Sequence, residues 1–266
     1  MQYKLLSVDV DGTLINSKKQ VTPKTKEKIQ QAVEKGVIFT ISSGRPVQGV
    51  QLITDQLGMD APVITYNGAM AITGESRTII YSCNMEKEDA LQIEMLGKQR
   101  DTLIAIWSDN KLYVNHMNEL AIKYSTISGT EPILYTDIEP LIEKGINKIL
   151  WYDDVERINA FEEELKTVIN PTVNYHTSQP FFLEFVNINA SKAIALEKLG
   201  NHYGISKEEM IAIGDGFNDL SMIEYAGLGV AMENAPEEIK QAADFVTLSN
   251  EDDGVAYVID KFILNK

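Results

Sequence analysis

Short apolar runs that end in turn residues and then pass into helical patterns recur along this chain, and that alternation limits the fold more than any other feature. Leu5-Leu6-Ser7-Val8 is apolar and too short for a helix, so it predicts a buried strand that opens into the loop Asp9-Val10-Asp11-Gly12-Thr13. Thr22 and Pro23 then offer an N-cap and a first helical position, Ile29, Ala32 and Val33 continue the pattern, and Gly36 can close it. Val37 to Ile41 predicts the next strand, Ser42-Ser43-Gly44-Arg45-Pro46 breaks it, and a second helical pattern runs through Val50, Ile53 and Leu57 to Gly58. Pro62 to Tyr66 reads as a third strand. Asn67-Gly68 leads from it into a hairpin of Ala69 to Thr73 and Thr78 to Tyr81 around Gly74-Glu75. Repeated βα units imply an α/β fold with a Rossmann-like, mostly parallel sheet.

From about Cys83 the order of elements changes. A helix (87–99), two strands around Asp109-Asn110, a helix (119–127), a strand (146–152), an amphipathic helix (155–168) and a strand pair (172–176 and 181–186) read as α+β. After Ser191 the βα alternation returns, with helices at 192–203 and 220–226 and strands at 210–213 and 228–231. The expectation is therefore a discontinuous core of residues 1–83 and 187–266, with residues 84–186 inserted as a second domain.

The formal charge of −15, from 24 basic against 39 acidic residues, comes with no Lys or Arg cluster that would follow a nucleic-acid backbone. Nucleic acid is thereby excluded as an expected partner. A surface this negative also repels phosphorylated substrates, so a phosphate site would need a metal and local cations. Cys83 is the single cysteine, which rules out an intrachain disulfide and a multi-cysteine zinc site. Met1 to Lys4 runs straight into the first strand without a long apolar leader, and no stretch approaches a membrane span of about 20 apolar residues. A cytoplasmic protein with no membrane partner is expected, either a monomer or a weak homo-oligomer.

Asp9 and Asp11, two apart on an extended backbone, face the same side and can share one cation. Such hard oxygen ligands suit magnesium, which keeps part of its water shell for a substrate phosphate. Aspartates at strand ends are also common turn formers, so the pair gains meaning only from what accompanies it. Ser43-Gly44, at the second strand end, offers a hydroxyl and a free backbone N–H for phosphate oxygens. Lys192, at a helix start, offers a point charge. Gly214-Asp215-Gly216-Phe217-Asn218-Asp219, after the strand at 210–213, adds carboxylates that would complete a metal site.

In this order the segments Asp9-Val10-Asp11-Gly12-Thr13-Leu14, Ser43-Gly44-Arg45-Pro46, Lys192 and Gly214-Asp215-x-x-Asn218-Asp219 resemble the haloacid dehalogenase superfamily of phosphatases. Asn67-Gly68-Ala69, Val230 to Pro236 and Asp253-Gly254-Val255-Ala256 narrow the resemblance to its Cof-type hydrolases, with a cap of the larger C2B type. The resemblance implies that Asp9 is the nucleophile and a magnesium ligand, and that Asp11 is the general acid and base and lends its backbone carbonyl to the metal. It further implies Asp215 as the third protein ligand and Asp219 as a residue binding or orienting around the metal. The phosphoryl group would be held by Val10, Ser43, Gly44, Lys192 and Asn218, with Arg45 and Asn67 as candidate substrate contacts. The implied reaction transfers a phosphoryl group from a small phosphate ester, such as a sugar phosphate, FMN or pyridoxal phosphate, to Asp9 and then to water.

The chain departs from the family pattern at Ala190 and Ala193, where Gly is frequent, and at Ser43, which replaces a commoner threonine and keeps its hydroxyl. Only Ile15 to Gln20 separates the first loop from its helix, so a lid must lie in the later insertion, and substrate selectivity is expected in residues 84–186. A sugar-phosphate phosphomutase stays open, because it would share the same loop and cap placement; from other classes, the inserted domain and the second Gly-Asp-x-x-Asn-Asp cluster argue against a phospho-receiver, and the retained motif residues against an inactive metabolite-binding protein.

Overall fold

The computed structural model describes residues 3–74 and 76–265 and divides into two compact units. Met1–Arg45, Val50–Tyr81 and Ser191–Lys266 form one, Pro46–Gly49 and Ser82–Ala190 the other. Glu75, placed in the expected hairpin turn, lies outside the described residues.

The first unit is built on an eight-stranded sheet in the order Phe245–Val246, Leu228–Ala231, Met210–Gly214, Leu5–Val8, Ile38–Ser42, Val63–Thr65, Met70–Ile72, Ile79–Ser82. Its first six strands pair in parallel and Met70–Ile72 turns back antiparallel on Val63–Thr65. The Rossmann-like parallel sheet expected from the alternation is the one found. Leu5–Val8 is wholly buried, as its continuous apolar run requires. The helix Lys192–Tyr203 seats Ala195, Leu196 and Leu199 against Leu5, Ile64 and Ala212, and burying each such leucine contributes about 1.5–3 kcal/mol. Thr22 caps the helix Pro23–Glu34 by accepting from the Thr25 N–H at 3.1 Å, with Pro23 in the first turn as the sequence predicts.

Register fixes where chemistry can sit. Val8 lies level with Ile213 on one side and Ile41 on the other, so Asp9, Gly214 and Ser42 leave the sheet side by side at its carboxyl edge. The central strand has neighbours drawn from opposite ends of the chain, which makes this edge the point where strand order reverses and a crevice forms.

The second unit is a six-stranded sheet in the order Val173–Gln179, Phe182–Asn187, Ile146–Tyr152, Leu103–Ser108, Lys111–Val114, Pro132–Leu134. All neighbours are antiparallel except the last pair. Ile104, Ile106, Ile149, Trp151, Leu183 and Phe185 meet Ile93 of the helix Lys87–Gln99 and Ile158, Phe161 and Leu165 of the helix Val155–Leu165. The strand Pro132–Leu134 and the helix Glu139–Lys144, three and six residues long, are too short to show a period in sequence. Asn147 donates to Ser82 Oγ and Asn84 Oδ1, both at 3.0 Å, and Asn187 Nδ2 donates to the Asn84 carbonyl at 3.0 Å. The Asn187 amide ties the first residues of the insertion to its last strand, and Asn147 ties them to the strand Ile146–Tyr152.

Candidate active site

Asp9 follows the central strand and is nearly buried, its N–H donated to the Ile213 carbonyl at 3.0 Å. Lys192, the first residue of its helix after the N-cap Ser191, is fully buried. Its ammonium donates to Asp9 Oδ1 at 2.7 Å, Asp219 Oδ1 at 2.6 Å and the Ser42 carbonyl at 2.9 Å. Removing an ammonium from water costs several kcal/mol, and three close acceptors, two of them charged, offset that cost. The lysine thus joins three segments that are far apart in sequence.

Asp219 is committed on both oxygens. Oδ1 faces Lys192, and Oδ2 accepts the N–H groups of Asp215 at 3.0 Å and Gly216 at 2.9 Å. Asp215 accepts from the Thr13 hydroxyl at 2.8 Å, and a Cβ on Gly12 would stand 2.2 Å from Asp215 Oδ2. Only glycine, here at φ +85°, lets the first loop approach that carboxylate. Asp9, Asp215 and Asp219 each offer one oxygen within 4.8 Å of the others.

Three carboxylates and one ammonium carry a net charge of −2 when all are ionised, which one divalent cation would balance. Burial, and then the charge of Asp219, push the Asp9 carboxyl up to about 8 against the opposing pull of Lys192. Burial also pushes Asp215 up to about 6, although the Thr13 hydrogen bond opposes it. On the lysine burial acts in the opposite sense and favours the neutral form, but Asp219 and Asp9 outweigh burial and hold it above its ordinary range. The donor set is all oxygen and strained by its own repulsion, which fits a hard divalent ion.

Asp11 stands outside that trio. Its side chain, 46% exposed, is gripped by Arg45 through Nε to Oδ2 and Nη2 to Oδ1, both at 2.8 Å, and by Lys19 at 3.1 Å. Burial alone would raise its carboxyl, but Arg45 and then Lys19 outweigh it and hold Asp11 below the usual carboxylate range. Arg45, expected as a substrate contact, is thus seen paired with Asp11.

The remaining expected residues gather around the second and third strand ends. Ser43 is buried; its own N–H donates to the Ile64 carbonyl at 2.9 Å, while its hydroxyl accepts the Arg45 N–H at 3.2 Å. The Ser43 N–H, expected to be free, is thus engaged by the neighbouring strand. Val10 is wholly buried, and its carbonyl accepts the Leu14 and Ile15 N–H groups, both at 3.1 Å. Asn67 accepts from Asn218 Nδ2 at 3.2 Å and lies against Gly44, where a Cβ would be 2.7 Å from Asn67 Oδ1. Sequence reasoning named Asn234 only within Val230 to Pro236 and gave no role to its amide, which donates to the Gly12 carbonyl at 2.8 Å, and it overlooked Asn250, which donates to the Ile15 carbonyl at 2.9 Å. Both steady the Asp9 loop from turns whose amides carry no spacing signal.

A sequence model of haloacid dehalogenase-like hydrolases matches residues 6–259. The chain is 30% identical over 285 residues to the 5-amino-6-(5-phospho-D-ribitylamino)uracil phosphatase YwtE of Bacillus subtilis, covering 98% of each protein. Among solved structures it is similar to TM0651 from Thermotoga maritima, with a TM-score of 0.87, 32% identity and coverage of 98% and 97%. It is also similar to the subclass IIB sugar phosphatase BT4131, with a TM-score of 0.81, 26% identity and coverage of 97% and 98%. Matched over nearly its whole length by the family and end to end by such relatives, this chain belongs to the haloacid dehalogenase-like hydrolases and is one of the phosphatases among them.

Proposed function

We propose that the chain is a magnesium-dependent phosphatase of small phosphate esters, acting through a phosphoryl group carried on Asp9. The observation that carries this reading is the meeting of Asp9, Lys192, Asp215 and Asp219 at one strand edge, with a net charge of −2 when all are ionised. Asp9, Asp215 and the Asp11 carbonyl would hold the ion and Asp219 would orient them; when bound, magnesium neutralises phosphoryl charge that would otherwise repel a carboxylate.

Asp9, steered by Lys192 on Oδ1, attacks phosphorus as the ester's P–O bond breaks, and Asp11 gives its proton to the departing alkoxide. The aspartyl-phosphate is then hydrolysed by a water that Asp11 deprotonates. Lys192, the Ser43 hydroxyl and the backbone of Val10 and Gly44 hold the phosphoryl oxygens, with Asn218 beside them. Asp11 must exchange Arg45 and Lys19 for the leaving oxygen, because a carboxylate in a two-pronged ion pair is a poor acid. We assign the hydrolase core to residues 1–83 and 187–266 and the choice of substrate to the inserted residues 84–186. Relatives named for a phosphoribityl compound and for sugar phosphates favour a sugar or polyol phosphate over FMN or pyridoxal phosphate.

A magnesium-supplemented screen of sugar phosphates, polyol phosphates, nucleotides, FMN and pyridoxal phosphate, with Asp9→Asn as control, is expected to find at least one ester whose phosphate is released. Isomerisation without phosphate release would mark a mutase instead, and no turnover of any kind would sink the reading.

Magnesium should also stabilise the fold in a pH-dependent way. Asp9 and Asp215 are raised above their unfolded values near 4, so what they contribute is fully present below about pH 4 and is lost as pH climbs through about 6 and about 8. The rise in melting temperature on adding magnesium is therefore expected to be larger at about pH 8.5 than at about pH 5.5. An equal shift at both, or none, in differential scanning calorimetry counts against the metal assignment.

A further inference from the structure

We infer that Asn67 is a positioning residue that acts through Asn218, holding that amide in place for a phosphoryl oxygen rather than touching substrate itself. The inference rests on the reading of Asn218 as a phosphoryl-binding side chain.

Three consecutive residues, Tyr66 at φ 53°, Asn67 at φ 56° and Gly68 at φ 92°, occupy the left-handed region. For Gly68 this is free, and the space is needed: a Cβ there would lie 2.2 Å from the Ser191 carbonyl carbon, just before Lys192. For Tyr66 and Asn67 it costs energy, and such strain gathers where a site demands it. The turn is fastened to the second strand end, with the Tyr66 N–H on the Arg45 carbonyl at 3.2 Å and the Asn67 N–H on the Ser43 carbonyl at 3.1 Å. One short segment thus abuts the Ser43 loop, the start of the Lys192 helix and Asn218.

A glycine at 67 would satisfy the backbone without strain, so the side chain has a separate use. Asn67 Oδ1 accepts one hydrogen of Asn218 Nδ2, and Gly216 lies so close to Asn218 Oδ1 that a Cβ would stand 2.6 Å away. Held through Nδ2 by Asn67, the otherwise exposed Asn218 amide is restrained in rotation, with its second Nδ2 hydrogen left for an anion. Without Asn67 that amide turns freely and must be ordered each time phosphate binds.

The test compares Asn67→Gly, Asn218→Ala and the double variant on p-nitrophenyl phosphate with magnesium, with Asp9→Asn as the turnover control. Asn67→Gly keeps the left-handed backbone, so its melting temperature is expected within about 3 °C of wild type while kcat/KM falls about 10-fold. Inhibition by inorganic phosphate should weaken by a similar factor in both single variants. The double variant should be no more than about 2-fold worse than Asn218→Ala alone, the mark of two residues acting as one. Multiplicative losses, or Asn67→Gly kinetics equal to wild type beside an impaired Asn218→Ala, overturn the inference while the phosphatase reading stands. Normal kinetics in Asn218→Ala overturn both assignments of that side chain, and only loss of the Asp9 dependence reaches the phosphatase reading itself.

Discussion

Asp9→Asn is expected to lower phosphate release by at least about four orders of magnitude and, in the metal-free protein, to raise the melting temperature above pH 8. The first effect follows because an amide cannot form the phosphoryl intermediate. The second follows from the sign of the shift. Asp9 is protonated in the fold up to about 8, far above an unfolded aspartate, so ionising it there costs stability that an uncharged side chain never loses. The asparagine Oδ1 still accepts from Lys192, so the pairing at 2.7 Å has a replacement. Rapid-quench phosphate release and calorimetry across the pH range read the two effects separately. A variant that turns over at more than about 1% of the wild-type rate, or that melts lower at high pH, is incompatible with a buried nucleophile at this position.

Lys192→Ala should fail in both respects. Turnover is expected to drop about 10³-fold, because the phosphoryl group and Asp9 lose the charge that steers them. Stability should fall by about 3–5 kcal/mol, since the substitution strands Asp9 and Asp219 in a buried site with no ammonium between them. Lowering the pH should recover part of that stability by protonating the stranded carboxylates, whereas wild type gains less from the same change. Urea denaturation at two pH values would show it. A variant as stable as wild type at neutral pH would mean that Lys192 does not carry the burden its three contacts imply.

What could be read from the chain beforehand was whatever local chemistry dictates. Leu5–Val8 had to be a buried strand, Thr22-Pro23 had to open a helix, and Asp9, Lys192 and Asp215, taken together and in that order, had the residue types that a charged site needs. The partnerships were invisible. That Asp11 points to Arg45 and Lys19, that Thr13 serves Asp215, and that Asn234 reaches the Gly12 carbonyl depend on side-chain rotamers across loops with no periodicity. Backbone strain at Tyr66 was equally hidden, because an aromatic residue at φ 53° runs against its own preference and is imposed by packing around it. The buried pair Lys148–Glu184, at 3.1 Å in the second sheet, reads in sequence as two interruptions of apolar strands rather than as a match.

The amide ties of Asn84, Asn147 and Asn187 bear on the order in which the chain assembles. Leu5–Val8 must find Met210–Gly214, a partner separated by roughly two hundred residues, and the entropy lost in closing so long a loop opposes early pairing. The inserted sheet draws its strands from within its own stretch and can form first. Once it does, those asparagines bring its first and last residues together and take about a hundred residues out of the loop that the outer strands still have to close. An insertion that interrupts the parallel sheet in sequence thereby becomes the bracket that shortens its search.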